Sequence, residues 1–295
     1  MDFYTANLFM FGTALAFSSV ASYFDLKTGE IPDKFTVGLV VVALVMRAVL
    51  SGFLGDFMYL VDGAIVGAIF FAFGALLFYT GGWGGGDAKL IAGVGASVGG
   101  LLAPSIIDSS LRMFPDFMGF FMAFALVSIP YSIGYALILS FRSPQVFSLC
   151  WHRIKTNWLI LSLAVIASIS LIIVFHPYKF ILLFTLLSPP IFYLLLIFVK
   201  SVEELAMRKK ISLSELKEGD MVAEDLVISG RKFASKRDMD GISKEALKKI
   251  LSSKKAPRTV IIKWGIRFAP AFPLALIVAP FWSQIIAVLF LGRIF

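Results

Sequence analysis

The stretch "YTGGWGGGDAKLIAG", residues 79–93, interrupts a very apolar chain with a run of glycines and two charged residues. Five of its glycines fall within six positions, and Asp87 and Lys89 follow directly. Non-helical backbone at membrane depth is tolerated only where it is buried in protein or lines a water-filled cavity. The stretch therefore predicts either a glycine loop that re-enters the membrane, with Asp87 capping the next helix, or a polar site between helices.

The composition predicts an all-α polytopic membrane protein. Of 295 residues, 59% are hydrophobic and 16% are charged, whereas soluble domains carry about 25% charged residues. Runs of about 20 mostly apolar residues predict about eight transmembrane helices, with six to eight possible. They cover residues 6–24, 35–54, 58–80, 88–106, 117–140, 158–175, 178–199 and 268–292. The first is expected to be a retained helix and not a cleaved signal, because no positive region precedes it.

These runs divide the chain into a transmembrane core, residues 1–199, a soluble domain, residues 200–267, and a C-terminal transmembrane helix, residues 268–295. The soluble domain carries 17 Lys and Arg against 10 Asp and Glu, and so holds +7 of the net charge of +8. A basic domain beside anionic lipid explains this charge better than nucleic-acid binding does. We expect a structural, membrane-proximal role for it, with substrate docking as the alternative.

Short patterns inside the soluble domain predict a small α+β fold. "DGISKEALKKILSS", residues 240–253, is typical of a helix with Ser243 as its N-cap. "DMVAEDLVISG", residues 220–230, and "RTVIIKW", residues 258–264, carry β-branched runs typical of short strands. "SVEELAMRKK", residues 201–210, is expected to continue the preceding transmembrane helix into water.

The distribution of Lys and Arg predicts an N-terminus on the outer side of the cell membrane and a soluble domain in the cytoplasm. With this orientation, the cytoplasmic segments hold 23 of the 27 basic residues. Arg47 remains on the outer side, and Asp62, one turn into the third predicted span, is expected to be a hydrated aspartate near the outer interface.

Cysteine and histidine usage gives no support for a metal or disulfide site. Cys150 is the single cysteine, which excludes an intramolecular disulfide framework. His152 and His176 flank one predicted span and would lie on opposite faces of the membrane. We therefore expect no metal and no cofactor.

Two acidic residues fall at the same predicted membrane face. Asp25 ends the first predicted span and Asp87 opens the fourth. Two buried carboxylates are costly unless they share a proton, so one would stay ionised and the other protonated. Such a general base and general acid can activate water against an amide bond. Gly84, Gly85 and Gly86 are expected to adopt backbone angles closed to other residues and to admit a substrate backbone.

Other classes of protein also fit these residues. Paired intramembrane carboxylates beside a broken, glycine-rich helix suit a proton- or ion-coupled transporter. A membrane scaffold with a basic domain would need neither aspartate. The residues alone also leave open the glycine loop in which Asp87 is only a helix cap.

Two blocks of sequence resemble type IV prepilin peptidases. "GGGDAKLIAGVGA", residues 84–96, is similar to their G-x-G-D-x-K-L block, and "DLKTGEIPD", residues 25–33, is similar to their other aspartate block. The resemblance covers about residues 6–140 and implies an intramembrane aspartic protease. It implies Asp25 and Asp87 as the catalytic pair and Gly84 and Gly86 as loop-shaping glycines. Lys89 is expected to be an interfacial anchor.

Bacterial prepilin peptidases commonly carry four cysteines in a cytoplasmic loop, whereas this chain has a single cysteine. The chain therefore looks more like the archaeal branch of that family, the prepilin and preflagellin (archaellin) peptidases. The resemblance implies cleavage of a short basic leader from pilin-like or archaellin precursors at the cytoplasmic face. The expected partners are these precursors and membrane lipid, with no nucleic acid.

Overall fold

The computed structural model describes residues 1–80, 82–100, 116–174, 179–228, 230–235, 241–253 and 256–281. In chain order the described helices are α1 (Phe3–Thr28), α2 (Asp33–Leu54), α3 (Met58–Tyr79), α4 (Gly85–Val98), α5 (Asp116–Arg142), α6 (Gln145–Thr156), α7 (Trp158–Val174), α8 (Lys179–Leu205), α9 (Lys244–Ser252) and α10 (Ala271–Val278). The described strands are β1 (Arg208–Ser212), β2 (Met221–Val222), β3 (Leu226–Ile228), β4 (Arg231–Ala234) and β5 (Thr259–Lys263). The chain divides into two compact units, Met1–Ile133 with Gly265–Phe295, and Gly134–Trp264.

Apolar helices of membrane-spanning length confirm a membrane protein. Within the described residues, α1, α2, α3 and α5 are long and apolar enough to cross a membrane. Every predicted span overlaps a described helix, but the last span, residues 268–292, overlaps only the eight residues of α10. Residues 101–106, 175, 178 and 282–292 of these spans lie outside the described residues. The count of eight stays a prediction, because α4 has 14 residues and α7 has 17. Helix α6 occupies the segment between the fifth and sixth predicted spans, for which no helix was predicted.

A tight turn joins α1 to α2 and fixes the end of α1. Gly29 adopts a φ of 79°, and its N–H donates to the carbonyl of Asp25 at 2.8 Å. A left-handed glycine after the last turn is a common helix end because it has no Cβ to clash. Pro32 then precedes the first residue of α2, where its fixed φ suits a helix start. This turn holds the Asp25 backbone in the last turn of α1.

Helix α4 packs closely against its neighbours through small residues. Its Leu90, Ile91 and Val94 are fully buried. A Cβ added at Gly93 would lie 2.7 Å from Leu39 of α2, and one added at Gly95 would lie 2.7 Å from the Phe70 ring of α3. Glycine lets helices in a membrane approach closely, where van der Waals contacts hold them together. The glycines of "GVGA" therefore position α4 between α2 and α3.

The expectation of a hydrated Asp62 is wrong. Asp62 is fully buried and forms an ion pair with Arg47 of α2, with 3.4 Å between Nη1 and Oδ2. Arg47 is buried as well. Burial of a charge is costly unless it is paired and hydrogen-bonded, which explains why the two residues lie together.

The second unit contains the predicted short strands. β1 and β2 both pair antiparallel with β5, and β3 pairs antiparallel with β4. Ser243 is the N-cap of α9, as predicted, and its Oγ accepts from the Ala246 N–H at 3.3 Å. Helix α8 ends at Leu205, so the expected helical continuation through residue 210 is wrong. There Arg208–Ser212 forms β1 because β5 offers it a full antiparallel ladder.

We predict that Gly95→Ala lowers the free energy of unfolding by about 1–3 kcal/mol, because its methyl group would overpack the Phe70 contact. Thermal unfolding in detergent micelles measures this effect. Gly12→Ala is the matched control, since a Cβ there has no neighbour within 4 Å. Equal stability of the two variants would contradict close packing at Gly95.

Candidate active site

Asp25 lies in the last turn of α1 with 6% of its surface exposed. Its Oδ2 accepts a hydrogen bond from the backbone N–H of Ala269 at 3.0 Å. The positive charge of Arg267 also acts on this carboxylate. Burial disfavours the ionised form of Asp25, whereas this hydrogen bond and this positive charge favour it. Asp25 is thus a buried carboxylate that the chain supplies with specific partners.

Asp87 is the third residue of α4 and has 9% of its surface exposed. Its Oδ2 accepts from the Gly84 N–H at 3.3 Å, at the start of the same helix. Gly84 itself is the N-cap, so Asp87 stabilises the helix start without being the cap. Its Oδ1 is buried and has no hydrogen-bond partner among the described residues. Leaving an acceptor unpaired in an apolar place is costly for a charged carboxylate.

The two aspartates come together because α1 packs against α4. Their carboxyl groups lie close enough for the charge of Asp25 to act on Asp87. Two like charges in one buried place disfavour ionisation of both groups. The residues predicted from the two blocks therefore occupy one buried site with an electrostatic interaction between them.

The glycines before Asp87 do not take the predicted backbone angles. Gly84 has a φ of −77° and a ψ of 157°, which any residue can adopt. Gly85 and Gly86 are helical, and neither is among the described glycines with positive φ. What Gly86 provides is space, because a Cβ there would lie 3.1 Å from Ile31. The expectation of backbone angles closed to other residues is therefore wrong. Gly86 instead lets the two sequence blocks approach each other closely, because it has no side chain.

Trp83 anchors the loop before α4 in a cluster of aromatic rings. Edge-on and tilted ring contacts of this kind add about 0.5–1.5 kcal/mol each to the burial of the rings. The rings packed against Trp83 belong to Phe73, Phe124, Phe268 and Phe272. The loop that carries Gly84 is therefore attached to the segment that carries Ala269.

Lys89 has a partner that sequence reasoning did not assign. Its Nζ lies 2.7 Å from Oδ1 of Asp33, at the start of α2. Both side chains are substantially exposed, so the pair contributes at most about 1 kcal/mol. Its position is more informative than its strength, because it joins the "DLKTGEIPD" and "GGGDAKL" blocks directly.

Sequence reasoning missed Ala269 and Arg267. They belong to "RFAPAFP", residues 267–273, where Pro270 precedes the first residue of α10. An N–H that lies before a helix start is not used by that helix and is available to another acceptor. Tyr131 fixes the same segment by donating from its hydroxyl to the Arg267 carbonyl at 2.5 Å. Pro270 was the signal, since a proline disfavours helical backbone in the residue before it, which here is Ala269.

No candidate metal centre accompanies these residues. In the described part of the chain, no group of three or more His, Cys, Asp and Glu side chains could hold a metal ion.

One segment of the chain matches a family of known proteins, and this segment contains both aspartates. Residues 13–137 match the model of the type IV leader peptidase family. That match confirms the resemblance predicted from the two aspartate blocks. Ala269 and Arg267 lie outside the matched residues.

Two curated relatives are preflagellin peptidases from methanogens. The chain is 39% identical over 79 residues to the preflagellin peptidase of Methanocaldococcus jannaschii, which covers 27% of this chain and 33% of the relative. It is 33% identical over 93 residues to the preflagellin peptidase of Methanococcus voltae, which covers 32% of this chain and 39% of the relative. The chain thus spans between a third and two fifths of the length of these relatives. No solved structure matches it.

Proposed function

We propose that the chain is an intramembrane aspartic endopeptidase that removes the short basic leader from preflagellin-like or prepilin-like precursors. The observation that carries this proposal is the buried pair of Asp25 and Asp87 inside the segment that matches the leader peptidase family. The names of the two relatives support a preflagellin-like substrate. Such precursors combine a charged leader with a hydrophobic helix, which suits a site within a helix bundle.

In the proposed mechanism, Asp25 is the general base. The Ala269 N–H and the charge of Arg267 favour its ionised form. An ionised carboxylate can accept a proton from a water molecule as that water attacks the carbonyl carbon of the scissile bond. The Ala269 contact leaves the other oxygen of Asp25 for this water.

Asp87 is the general acid of the same mechanism. Its Oδ1 has no donor among the described residues, and the neighbouring charge of Asp25 opposes a second charge. A protonated Asp87 can donate its proton to the carbonyl oxygen as water adds, which gives a tetrahedral diol. When the C–N bond breaks, Asp25 passes the proton that it took from water to the leaving amine, and the diol returns a proton to Asp87. Both carboxyl groups thus regain their starting protonation states after the hydrolysis of one amide bond. Gly84 and Gly86 keep side chains away from the start of α4, where the substrate backbone would lie.

We also propose eight transmembrane helices, an outer N-terminus, and a site at the cytoplasmic face of the cell membrane. In this arrangement residues 1–199 are the protease core, residues 200–267 the basic cytoplasmic domain, and residues 268–295 the last transmembrane helix. The excess of Lys and Arg in the segments assigned to the cytoplasm supports the orientation. A scissile bond just after a basic leader would meet the aspartates at that face.

Asp25→Asn and Asp87→Asn are each expected to lower cleavage of a co-expressed preflagellin by at least about 100-fold, because each removes one proton-transfer group. Immunoblots of the precursor and product measure this. Asp56→Asn is the control, because it preserves the acceptor for the Met58 N–H and lies outside the pair. Retained cleavage in either variant would contradict the dyad, and proton flux without any cleavage would favour a transporter.

Infrared spectroscopy tests the assignment of acid and base. We expect a carbonyl band from a protonated carboxylic acid in the purified protein at neutral pH. Asp87→Asn should remove this band, and Asp25→Asn should keep it. Loss of the band only in Asp25→Asn would reverse the two roles.

Cysteine labelling tests the orientation in a Cys150→Ser background. Lys217→Cys lies in the basic domain and Phe57→Cys between α2 and α3, and both side chains are exposed. A membrane-impermeant maleimide is expected to label Phe57→Cys in intact cells and Lys217→Cys only after lysis. The opposite pattern would invert the proposed topology.

A further inference from the structure

A second charged cluster lies at the other end of α4, and the proposed chemistry does not use it. Arg47 of α2 and Asp62 of α3 are each 1% exposed at their side chains and form an ion pair. Asp87 is at the start of α4, whereas this pair meets its last turn. The distance along the helix from Asp87 to Ser97 is about 15 Å, at 1.5 Å per residue. Ionisable side chains within membrane helices are rare and mark functional arrangements.

The cluster binds the backbone at the end of α4 from two sides. Arg47 donates from Nη2 to the Ser97 carbonyl at 3.0 Å, and from Nη1 to the Tyr59 carbonyl at 2.6 Å. Asp62 accepts from the Gly100 N–H through Oδ2 at 2.7 Å. The last carbonyls of a helix have no partner within the helix, so Arg47 serves as a C-terminal cap for α4. One ion pair thus fixes a group in the last turn and a group just after it.

Close packing around the cluster opposes sliding and rotation of α4. Gly99 adopts a φ of 56°, and a Cβ there would collide with Arg47 and Asp62. A Cβ at Gly63 would collide with Arg47 and lie 2.8 Å from the Ala96 carbonyl. The guanidinium of Arg47 also lies over the Tyr59 ring, 4.4 Å from its centroid. The end of α4 is therefore fixed in both height and rotation.

A buried ion pair is weak evidence for stability. Desolvation of two charges can exceed their attraction, and apolar residues of similar volume often stabilise a protein equally well or better. The glycine contacts at Gly93 and Gly95 already hold α4 laterally against α2 and α3. What those contacts do not supply is a directional bond to the end of the helix, and the cluster supplies two.

We propose that the Arg47–Asp62 pair is a positioning device that sets the height and rotation of α4, and through them the place of Asp87 relative to Asp25. Arg47 and Asp62 are positioning residues, since they bind the far end of the helix and not the reacting atoms. The inference rests on the proposed function for its kinetic readout. A displacement of about 1 Å in a catalytic group can lower a rate about 100-fold, so a small shift of α4 has a large effect.

The test replaces the whole pair with apolar residues. Arg47→Met with Asp62→Leu leaves no unpaired charge, so the purified protein is expected to keep its melting temperature within about 4 °C. We expect kcat for a preflagellin substrate to fall at least 10-fold with KM unchanged within twofold. We also expect the infrared carbonyl band assigned to Asp87 to shift, which requires no substrate.

Two further variants complete the test. Arg47→Lys keeps the positive charge beside Asp62, so folding is preserved. A single ammonium group lacks the planar fork that bonds the Tyr59 and Ser97 carbonyls together, and kcat should fall as in the double variant. Tyr59→Phe is the matched control, because it removes only the hydroxyl that donates to Asn7 of α1 at 2.9 Å. It is expected to keep kcat within twofold.

The outcomes separate this inference from the proposed function. Wild-type kcat and an unshifted carbonyl band in a folded double variant, or in Arg47→Lys, would overturn the positioning role and leave the pair purely structural. An equal loss of kcat in Tyr59→Phe would also overturn it, because general loosening would then explain the effect. Absence of cleavage by the wild-type protein would instead contradict the proposed function.

Discussion

The hydrogen bond from the Ala269 N–H to Asp25 joins residues that are 244 positions apart in the chain. A carboxylate with 6% exposure has lost nearly all of its water, so it needs donors from the protein to remain charged. The chain provides this donor from Ala269, the residue before Pro270, where a helical backbone is disfavoured. The aromatic cluster around Trp83 then attaches the segment that contains Ala269 to the loop before Asp87. The arrangement of the whole site therefore depends on residues 267–273.

The groups that act on Asp25 lie outside the segment that matches the leader peptidase family. Residues 13–137 contain both aspartates and the helices that carry them. The donor to Asp25 and the nearby positive charge come from residues 267 and 269, outside that segment. The matched segment therefore has the two acids without the N–H donor and the positive charge that act on Asp25.

The sequence predicted that Asp25 and Asp87 lie at one site, and both are buried there, but it did not predict the contacts that they make. Asp25 and Asp87 stand out because few charges interrupt the predicted spans, and the charge distribution placed them at one face. The Ala269 contact could not be predicted, because a backbone N–H carries no side-chain signal and its partner is distant in sequence. Arg47 and Asp62 were each predicted near the outer interface, because their ion pair depends on how α2 packs against α3, which the sequence does not show. β1 was missed for a related reason, since "RKK" has little strand character without β5 beside it.

The length of α4 has a consequence for the surrounding lipid. Its 14 residues extend over about 21 Å, whereas the hydrocarbon core of a bilayer is about 30 Å thick. Asp87 accepts a hydrogen bond from the N–H at its start, and Arg47 donates one to a carbonyl of its last turn. Asp62 accepts a hydrogen bond from a backbone N–H that follows the helix. These side chains supply the hydrogen bonds that water supplies at the ends of an ordinary spanning helix. Because most of α4 is buried in protein, its depth is expected to depend on its protein neighbours more than on hydrophobic matching to the bilayer.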